Sequence, residues 1–333
     1  MDGRGRQFSV VGRVLGIVLV IVASLTTILP VPPTRATDSP LSFAAQKSGT
    51  EVTLMNVYFR DARLGWAVGS GGTILKTLDG GQKWKKVSSG TTAMLTGVFF
   101  VDDKQGWIVG ANGTIRHSAN GGETWVPQQI DTQVPLYGIS FVSPTEGWVV
   151  GGNGTILHTT DGGTHWVDQA STTNAALYAI QFITERRGTA VGAVGTVLAT
   201  DDGGATWVAQ ETQGAVTLFD VYFSDPSTGW VVGNAGAMFH TTDGGNRWVD
   251  RTLPCIRTCT KLTDLLRVRF TDPRTGWIVG ERGMVYHTAD SGFTWAERGS
   301  IAKVSLFGLS FPDALHGWAS GEKGTIVRLT TGR

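Results

Sequence analysis

The sequence predicts an all-β fold, a seven-bladed β-propeller with four-stranded blades whose ring is closed by the N-terminal strand. The first observation is a repeated anchor, a glycine followed by tryptophan in six of its seven copies, spaced by 41 residues with one step of 47. A period near 41 residues is typical of a propeller blade. The anchor glycines are Gly65, Gly106, Gly147, Gly188, Gly229, Gly276 and Gly317. The second observation is composition, because 46 glycines and 41% hydrophobic residues indicate a turn-rich β protein with an ample core.

Each repeat is predicted to form four short antiparallel strands, which are clearest in the third copy. There the predicted strands are residues 137–141, 148–150, 155–158 and 166–169, separated by glycine-rich and asparagine-rich turns. The repeats begin near residues 51, 94, 135, 176, 217, 264 and 305. Residues 37–333 are therefore predicted to be a single propeller.

The turn before the fourth strand follows the Asp-box pattern Thr-x-Asp-x-Gly-x-x-Trp. A short acidic or amide side chain accepts hydrogen bonds from backbone N–H groups of its own turn, so these residues are predicted to be structural. They are Asp79, Asn120, Asp161, Asp202, Asp243 and Asp290. Six tryptophans close these turns and six follow the repeat glycine, which accounts for all 12 in the chain. They are predicted to fill the wedges between blades.

The register of the repeats predicts how the ring closes. In the intact linkers an Asp-box tryptophan precedes the last phenylalanine of the next first strand by 16 residues, as in Trp84 and Phe100. The seventh copy ends after its third strand, and counting back 16 residues from Phe59 reaches Phe43. Residues 41–46 are therefore predicted to supply the missing fourth strand, which removes an exposed sheet edge.

The first 36 residues have the pattern of a targeting segment. Arg4, Arg6 and Arg13 precede an uncharged, mostly apolar run over residues 14–29, and Ala36 follows as a small residue at a cleavage point. This predicts a secretory signal peptide, either cleaved or retained as a membrane anchor through residues 14–29. Without it the chain has 24 basic and 26 acidic residues, which argues against a nucleic-acid partner. We expect an exported monomer.

The chain has two cysteines, Cys255 and Cys259, both in the exported part. An oxidising compartment favours a small disulfide that pins the loop, and a redox pair is the alternative. No histidine or acid lies between Thr252 and Thr263, so the loop lacks the ligands for a metal site.

A basic column occupies the position eleven residues after the repeat glycine, on the predicted third strand. Its members are Lys76, His117, His158, His240, His287 and Arg328. Strands lie about 4.8 Å apart, which puts these side chains far from the ring axis and from each other, whereas zinc ligands lie about 2 Å from the metal. We therefore expect hydrogen bonds beside the Asp boxes, no metal and no cofactor.

The linker between the fifth and sixth copies is six residues longer than the others, and positive charge concentrates around it. Loops carry function more often than their scaffold does, and guanidinium groups suit carboxylate partners. We hypothesise a partner-binding face here; the alternative is a solvated insertion without a role. The residues are Arg251, Arg257, Lys261, Arg267 and Arg269, with Arg282 on a hairpin of the same face.

Copies such as residues 147–163 resemble the photosystem II stability/assembly factor family, and the resemblance covers residues 41–333. It implies a seven-bladed propeller exported to the thylakoid lumen or periplasm. It also implies a non-enzymatic scaffold for a membrane-protein client, namely early photosystem II reaction-centre intermediates where the host is photosynthetic.

Two other interpretations of the function compete with this one. A sialidase-like glycosidase shares Asp boxes, but it resembles a six-bladed propeller with an Arg-Ile-Pro motif, and the nearest match here, residues 58–61, lacks Ile-Pro. No acid pair stands out for glycoside hydrolysis, so we expect no enzyme activity. A generic periplasmic or cell-surface binding propeller is the third reading.

Overall fold

Seven antiparallel sheets of four strands each make up the described part of the chain. A computed structural model describes residues 41–212, 214–253, 263–300 and 302–330. The predicted targeting segment, 1–36, lies outside these residues, as do Cys255, Arg257, Cys259 and Lys261. Within the described ranges, no helix has the length and apolar character that crossing a bilayer requires.

The strands follow the chain blade by blade. A first strand, β1 (Ser42–Gln46), precedes blade 1. Blade 1 has β2 (Leu54–Phe59), β3 (Gly65–Gly69), β4 (Thr73–Thr77) and β5 (Lys85–Val87). Blade 2 has β6 (Leu95–Phe100), β7 (Gly106–Gly110), β8 (Thr114–Ser118) and β9 (Val126–Pro127). Blade 3 has β10 (Leu136–Phe141), β11 (Gly147–Gly151), β12 (Ile156–Thr159) and β13 (Val167–Asp168). Blade 4 has β14 (Leu177–Phe182), β15 (Gly188–Gly192), β16 (Val197–Thr200) and β17 (Val208–Ala209).

The remaining blades keep the same order. Blade 5 has β18 (Leu218–Phe223), β19 (Gly229–Gly233), β20 (Met238–Thr241) and β21 (Val249–Asp250). Blade 6 has β22 (Leu265–Phe270), β23 (Gly276–Gly280), β24 (Met284–Thr288) and β25 (Ala296–Ser300). Blade 7 begins with β26 (Leu306–Ser310), β27 (His316–Gly321) and β28 (Ile326–Thr330). Short 3₁₀ turns join the second and third strands of six blades, at Ser70–Gly72, Gly152–Gly154, Ala193–Gly195, Asn234–Gly236, Glu281–Gly283 and Glu322–Gly324.

Blade 7 is completed by the N-terminal strand. Its strand order is β1, β28, β27 and β26, with β1 antiparallel to β28 and Phe43 opposite Leu329. The predicted closure of the ring by residues near Phe43 is confirmed. The half-buried Phe43 packs against the core between blades 6 and 7.

Close packing explains the glycine of the repeated Gly-Trp pair. A Cβ added at Gly147 would lie 2.4 Å from the ring of Phe141, the last residue of the neighbouring strand β10. The tryptophan that follows, Trp148, is fully buried, as are its five equivalents. In the next turn Asn153 and Gly154 have φ values of 54° and 68°, a left-handed conformation that asparagine and glycine adopt readily.

The turns divide between two faces of the ring. On what we name the linker face, the 3₁₀ turns contact the linkers between blades, and the N–H of Gly324 donates to the carbonyl of Val52. On the opposite face, the Asp-box face, each Asp box contacts the first turn of its own blade. There the N–H of Gly162 donates to the carbonyl of Thr145.

The seams between blades are not equivalent. In four of them the tryptophan of one blade stacks on the last phenylalanine of the next first strand at 3.4–3.7 Å. The same indoles donate to an Asp-box carbonyl of the next blade, as Trp148 does to Gly203. Blade 4 has Thr189 in place of this tryptophan, and Arg187 donates to the carbonyl of Gly244 instead, at 2.9 Å. At the seams after blades 5 and 6 the ring centroids are 5.9 and 5.6 Å apart.

Candidate functional site

The innermost strands of the seven blades surround a central channel with a cavity volume of about 420 Å³. The channel is polar on the side of blades 5 and 6, where Asp220, Arg267 and Arg269 line it. On the side of blades 3 and 4 the lining residues include Tyr137, Tyr178 and Gln181. Its size admits one or two side chains or a small ligand.

Arg267 and Arg269 reach the channel because they occupy alternate positions of β22, whose intervening residues are buried. Arg269 Nη1 lies 2.6 Å from Asp220 Oδ2, and its guanidinium also lies over the ring of Tyr222. Arg267 Nη1 donates to two backbone carbonyls, those of Phe219 and Leu266, at 3.3 and 3.0 Å. Two guanidinium groups therefore converge on β18 of blade 5.

Asp220 is the one carboxylate among the described residues that line this channel. It is 3% exposed, and its Oδ2 also accepts the N–H of Val268. Burial lowers the pKa of Arg267, Asp220 opposes that shift, and Arg269 adds to it. One carboxylate against two guanidinium groups gives the channel a net positive charge, which suits an anionic ligand.

Two further tyrosines that line the channel, Tyr58 and Tyr222, are held in place by hydrogen bonds to the backbone. The hydroxyl of Tyr58 donates to the carbonyl of Phe100 at 2.7 Å, and that of Tyr222 donates to the carbonyl of Phe270 at 2.9 Å. Burial raises the pKa of both phenols, although nearby arginines oppose it. A raised pKa disfavours the phenolate that a tyrosine nucleophile would need.

The structure separates the hypothesised partner-binding residues into two groups. Arg267 and Arg269 face the channel, whereas Arg251 is exposed, with its guanidinium 5.8 Å from the ring of Phe293 in the Asp box of blade 6. Arg282 is exposed in the Glu281–Gly283 turn of the linker face, with a φ of 56°.

The ends of the long linker between blades 5 and 6 are fixed to the linker face. Leu253 N–H donates to the carbonyl of Gly236, and the carboxylate of Asp264 accepts the N–H of Ala235. The carbonyl of Asp264 accepts the N–H of Glu281, which brings the linker beside the turn that contains Arg282.

The Asp boxes share one hydrogen-bonding pattern. The side-chain oxygen of each accepts a threonine or serine hydroxyl two residues earlier and the N–H four residues later, as Asp161 does with Thr159 and His165. Hydrogen bonds from the backbone and the ring of His165 lower the pKa of Asp161 to about 2. The equivalent acceptors are Asp79, Asn120, Asp202, Asp243 and Asp290.

The basic column lies on the tryptophans of the neighbouring strand. His158 stacks on Trp148 at 4.6 Å and His240 stacks on Trp230 at 4.0 Å. The expected contact beside an Asp box holds for Lys76, which bonds Glu123. His158 Nε2 bonds Glu146 in the first turn of its own blade, the turn that also contacts the Asp box of that blade. Within the described part of the chain, no group of three or more possible ligands is arranged to hold a metal ion.

Comparison of sequences assigns the family. The profile described as photosynthesis system II assembly factor YCF48 matches residues 36–135, 83–170 and 209–298. The chain belongs to this family. No curated protein matches it.

Solved structures agree on the fold. The structure "YCF48 bound to D1 peptide" has a TM-score of 0.73 and 21% identity to this chain. The match covers 91% of this chain and 100% of the chain in that structure. YCF48 from Cyanidioschyzon merolae has a TM-score of 0.72 and 20% identity, with coverage of 86% and 98%. A streptogramin B lyase has a TM-score of 0.76 at 12% identity, with coverage of 88% and 98%. Enzymes therefore share this fold, so the fold alone does not decide the function.

The repeat pattern does not identify several of the channel residues as candidates for function. Asp220, Tyr137 and Tyr178 stand inside repeat strands, where the repeat suggests only a structural role. An alignment of the seven first strands carries the missing signal, because Asp220 and Arg267 occupy a column that is otherwise glycine, alanine or asparagine.

Proposed function

We propose that this chain is a non-enzymatic, exported assembly factor that binds a membrane-protein client, a photosystem II reaction-centre intermediate where the host is photosynthetic. The observation that carries the proposal is membership of the YCF48 family, of which one relative is titled as bound to a D1 peptide. We extend client binding from that relative to this chain.

The channel chemistry supports binding rather than hydrolysis. Glycoside hydrolysis uses two carboxyl groups that flank the bond, whereas the described channel lining contributes Asp220 alone, engaged by Arg269. The hydroxyls of Tyr58 and Tyr222 are engaged by backbone carbonyls. Arg267, Arg269 and the exposed residues Arg251 and Arg282 supply guanidinium groups suited to carboxylates of a client.

Capture from detergent-solubilised membranes tests the proposal. The full chain is immobilised, and bound proteins are identified by mass spectrometry at low and moderate salt. We expect capture of photosystem II reaction-centre proteins, weakened by salt because exposed charges are screened within about 10 Å at 0.1 M. A wild-type chain that retains no membrane protein contradicts the function. Capture of other membrane proteins alone favours the generic binding propeller.

Two variants then locate the site. The linker variant changes Arg251, Arg257 and Lys261 to glutamate, and the channel variant carries Arg267→Gln and Arg269→Gln. Glutamine is chosen at position 269 because a second carboxylate beside the buried Asp220 would destabilise the fold. Arg63→Glu, on the Asp-box face, is a control for charge reversal on the exposed surface. If both variants capture the same partners as the control, these arginines are not the site.

A further inference from the structure

Three aromatic residues form a continuous arc, and two of them, Tyr137 and Tyr178, line the channel. Tyr137, Tyr178 and Phe219 occupy the second position of β10, β14 and β18 in consecutive blades. The centroids of Tyr137 and Tyr178 are 5.3 Å apart, and those of Tyr178 and Phe219 are 6.0 Å apart. All three side chains are half-buried. We name these residues the aromatic arc.

The hydroxyls of the arc differ from those of the other channel tyrosines. Tyr58 and Tyr222 donate to backbone carbonyls of the next blade and so join the blades together. The hydroxyls of Tyr137 and Tyr178 make no hydrogen bond with any described residue, although both residues line the channel. Two adjacent donors that serve no structural bond are available to a ligand.

The arc continues into the cationic part of the channel. The carbonyl of Phe219, at the end of the arc, accepts a hydrogen bond from Arg267 Nη1. In the described part of the chain Asp220 pairs with Arg269, and no carboxylate lies within ion-pair distance of the Arg267 guanidinium. An apolar, hydroxyl-bearing surface on blades 3 to 5 is therefore followed by a positive charge on blade 6.

We propose that the aromatic arc and Arg267 bind a short extended peptide that carries an apolar or aromatic side chain next to a carboxylate. The inference rests on the proposed function and names the chemistry of the client segment. The rings of Tyr178 and its neighbours pack against the apolar side chain, the free hydroxyls donate to peptide carbonyls, and Arg267 binds the carboxylate. A cavity of about 420 Å³ holds such a pair of side chains and excludes a folded domain.

A double-mutant cycle between peptide and protein tests this. The probe is a blocked tetrapeptide with phenylalanine followed by glutamate between two glycines. One matched peptide has serine for phenylalanine, and another has glutamine for glutamate. Affinity for the full chain is measured by calorimetry, with Tyr178→Ala and Arg267→Gln as variants. Tyr58→Phe is the control, because it removes a hydroxyl that is not available to a ligand.

We expect Tyr178→Ala to weaken the phenylalanine peptide about tenfold and the serine peptide less than about twofold. Arg267→Gln should weaken the glutamate peptide and leave the glutamine peptide nearly unchanged. Tyr178→Phe keeps the ring and should lose only part of the affinity. Losses that are equal for matched peptides, with melting curves of the variants unchanged, overturn the proposal. Benzoate that binds as tightly as the peptide also overturns it, since that indicates a small-molecule site.

Membrane capture separates the two proposals. If wild type and Tyr178→Ala capture the same client equally well, the aromatic arc is not the client site and the proposed function stands. If wild type captures no client while the peptide cycle succeeds, the site exists and the assembly function is wrong.

Discussion

The amide of Gln46 bridges the seam at which the ring closes. Its Nε2 donates to the carbonyl of Gly80 at 2.8 Å, and its Oε1 accepts the indole N–H of Trp84 at 3.4 Å. Gln46 lies on β1, while Gly80 and Trp84 belong to the Asp box of blade 1. Gln128 and Gln169 make the same two contacts at later seams. We therefore predict that Gln46→Ala loosens the closing strand.

The magnitude follows from the two lost contacts. A side-chain hydrogen bond contributes about 1 kcal/mol, and the partly buried indole N–H of Trp84 would keep no partner. Gln46→Ala should therefore lower the free energy of unfolding by about 2 kcal/mol. For a chain of this size that corresponds to a melting temperature lowered by about 3 °C. Backbone amides of β1 should also exchange faster with deuterium.

The chain supplies its own control at the equivalent position of blade 4. Gln210 directs its amide to Val208 of its own strand at 3.5 Å. Gln210→Ala should change the free energy of unfolding by less than about 0.5 kcal/mol. Urea unfolding of both variants measures the difference. Equal destabilisation by the two substitutions would refute the reasoning, because it would assign the effect to the outer strand and not to the bridge.

Two further predictions concern other seams. Arg187→Ala should lower the free energy of unfolding by about 2 kcal/mol, because hydrogen bonds to Gly244 and Pro226 are lost; Arg187→Ala with Thr189→Trp should recover part of it. Failure of this double variant to recover any stability in urea would show that Arg187 does not stand in for the tryptophan. Burial and the charge of Arg251 lower the pKa of His240 to about 4, so its neutral form stabilises the fold fully above about pH 6.5, and this contribution of about 3 kcal/mol is lost as pH falls toward 4. His240→Phe, which keeps a ring on Trp230, should flatten stability over this range, and an unchanged pH profile contradicts the assignment.

Repeat spacing predicts most of the fold, because every blade must bury the same wedge. The closing residue Phe43 follows from the count between Trp84 and Phe100, since each seam uses the same register. Local departures are harder to predict. Arg187 replaces the contact of an absent tryptophan, and only the coincidence of Arg187 and Thr189 in one copy hints at it.

The candidate site is less predictable from sequence than the fold. Arg267 and Arg269 stand out by charge, but the long linker beside them suggests a surface patch, whereas alternation along β22 turns them into the channel. Tyr137 and Tyr178 look like ordinary strand residues. Their role depends on which hydroxyls find a backbone carbonyl in the next blade, and that is decided by packing between strands far apart in sequence.

The pairing of β1 with β28 has a consequence for the order of folding. The strand that is made first finds its partner only when Ile326 to Thr330 have been made, since Gln46 lies opposite Ile326. Until then β1 is a solitary strand and the newest blade presents an uncovered edge, the kind of surface that promotes aggregation. A chain cut before Ile326 cannot close the ring at all. Because closure needs both ends of the chain, a truncated product keeps an open ring with an unpaired sheet edge, which is exposed to proteases.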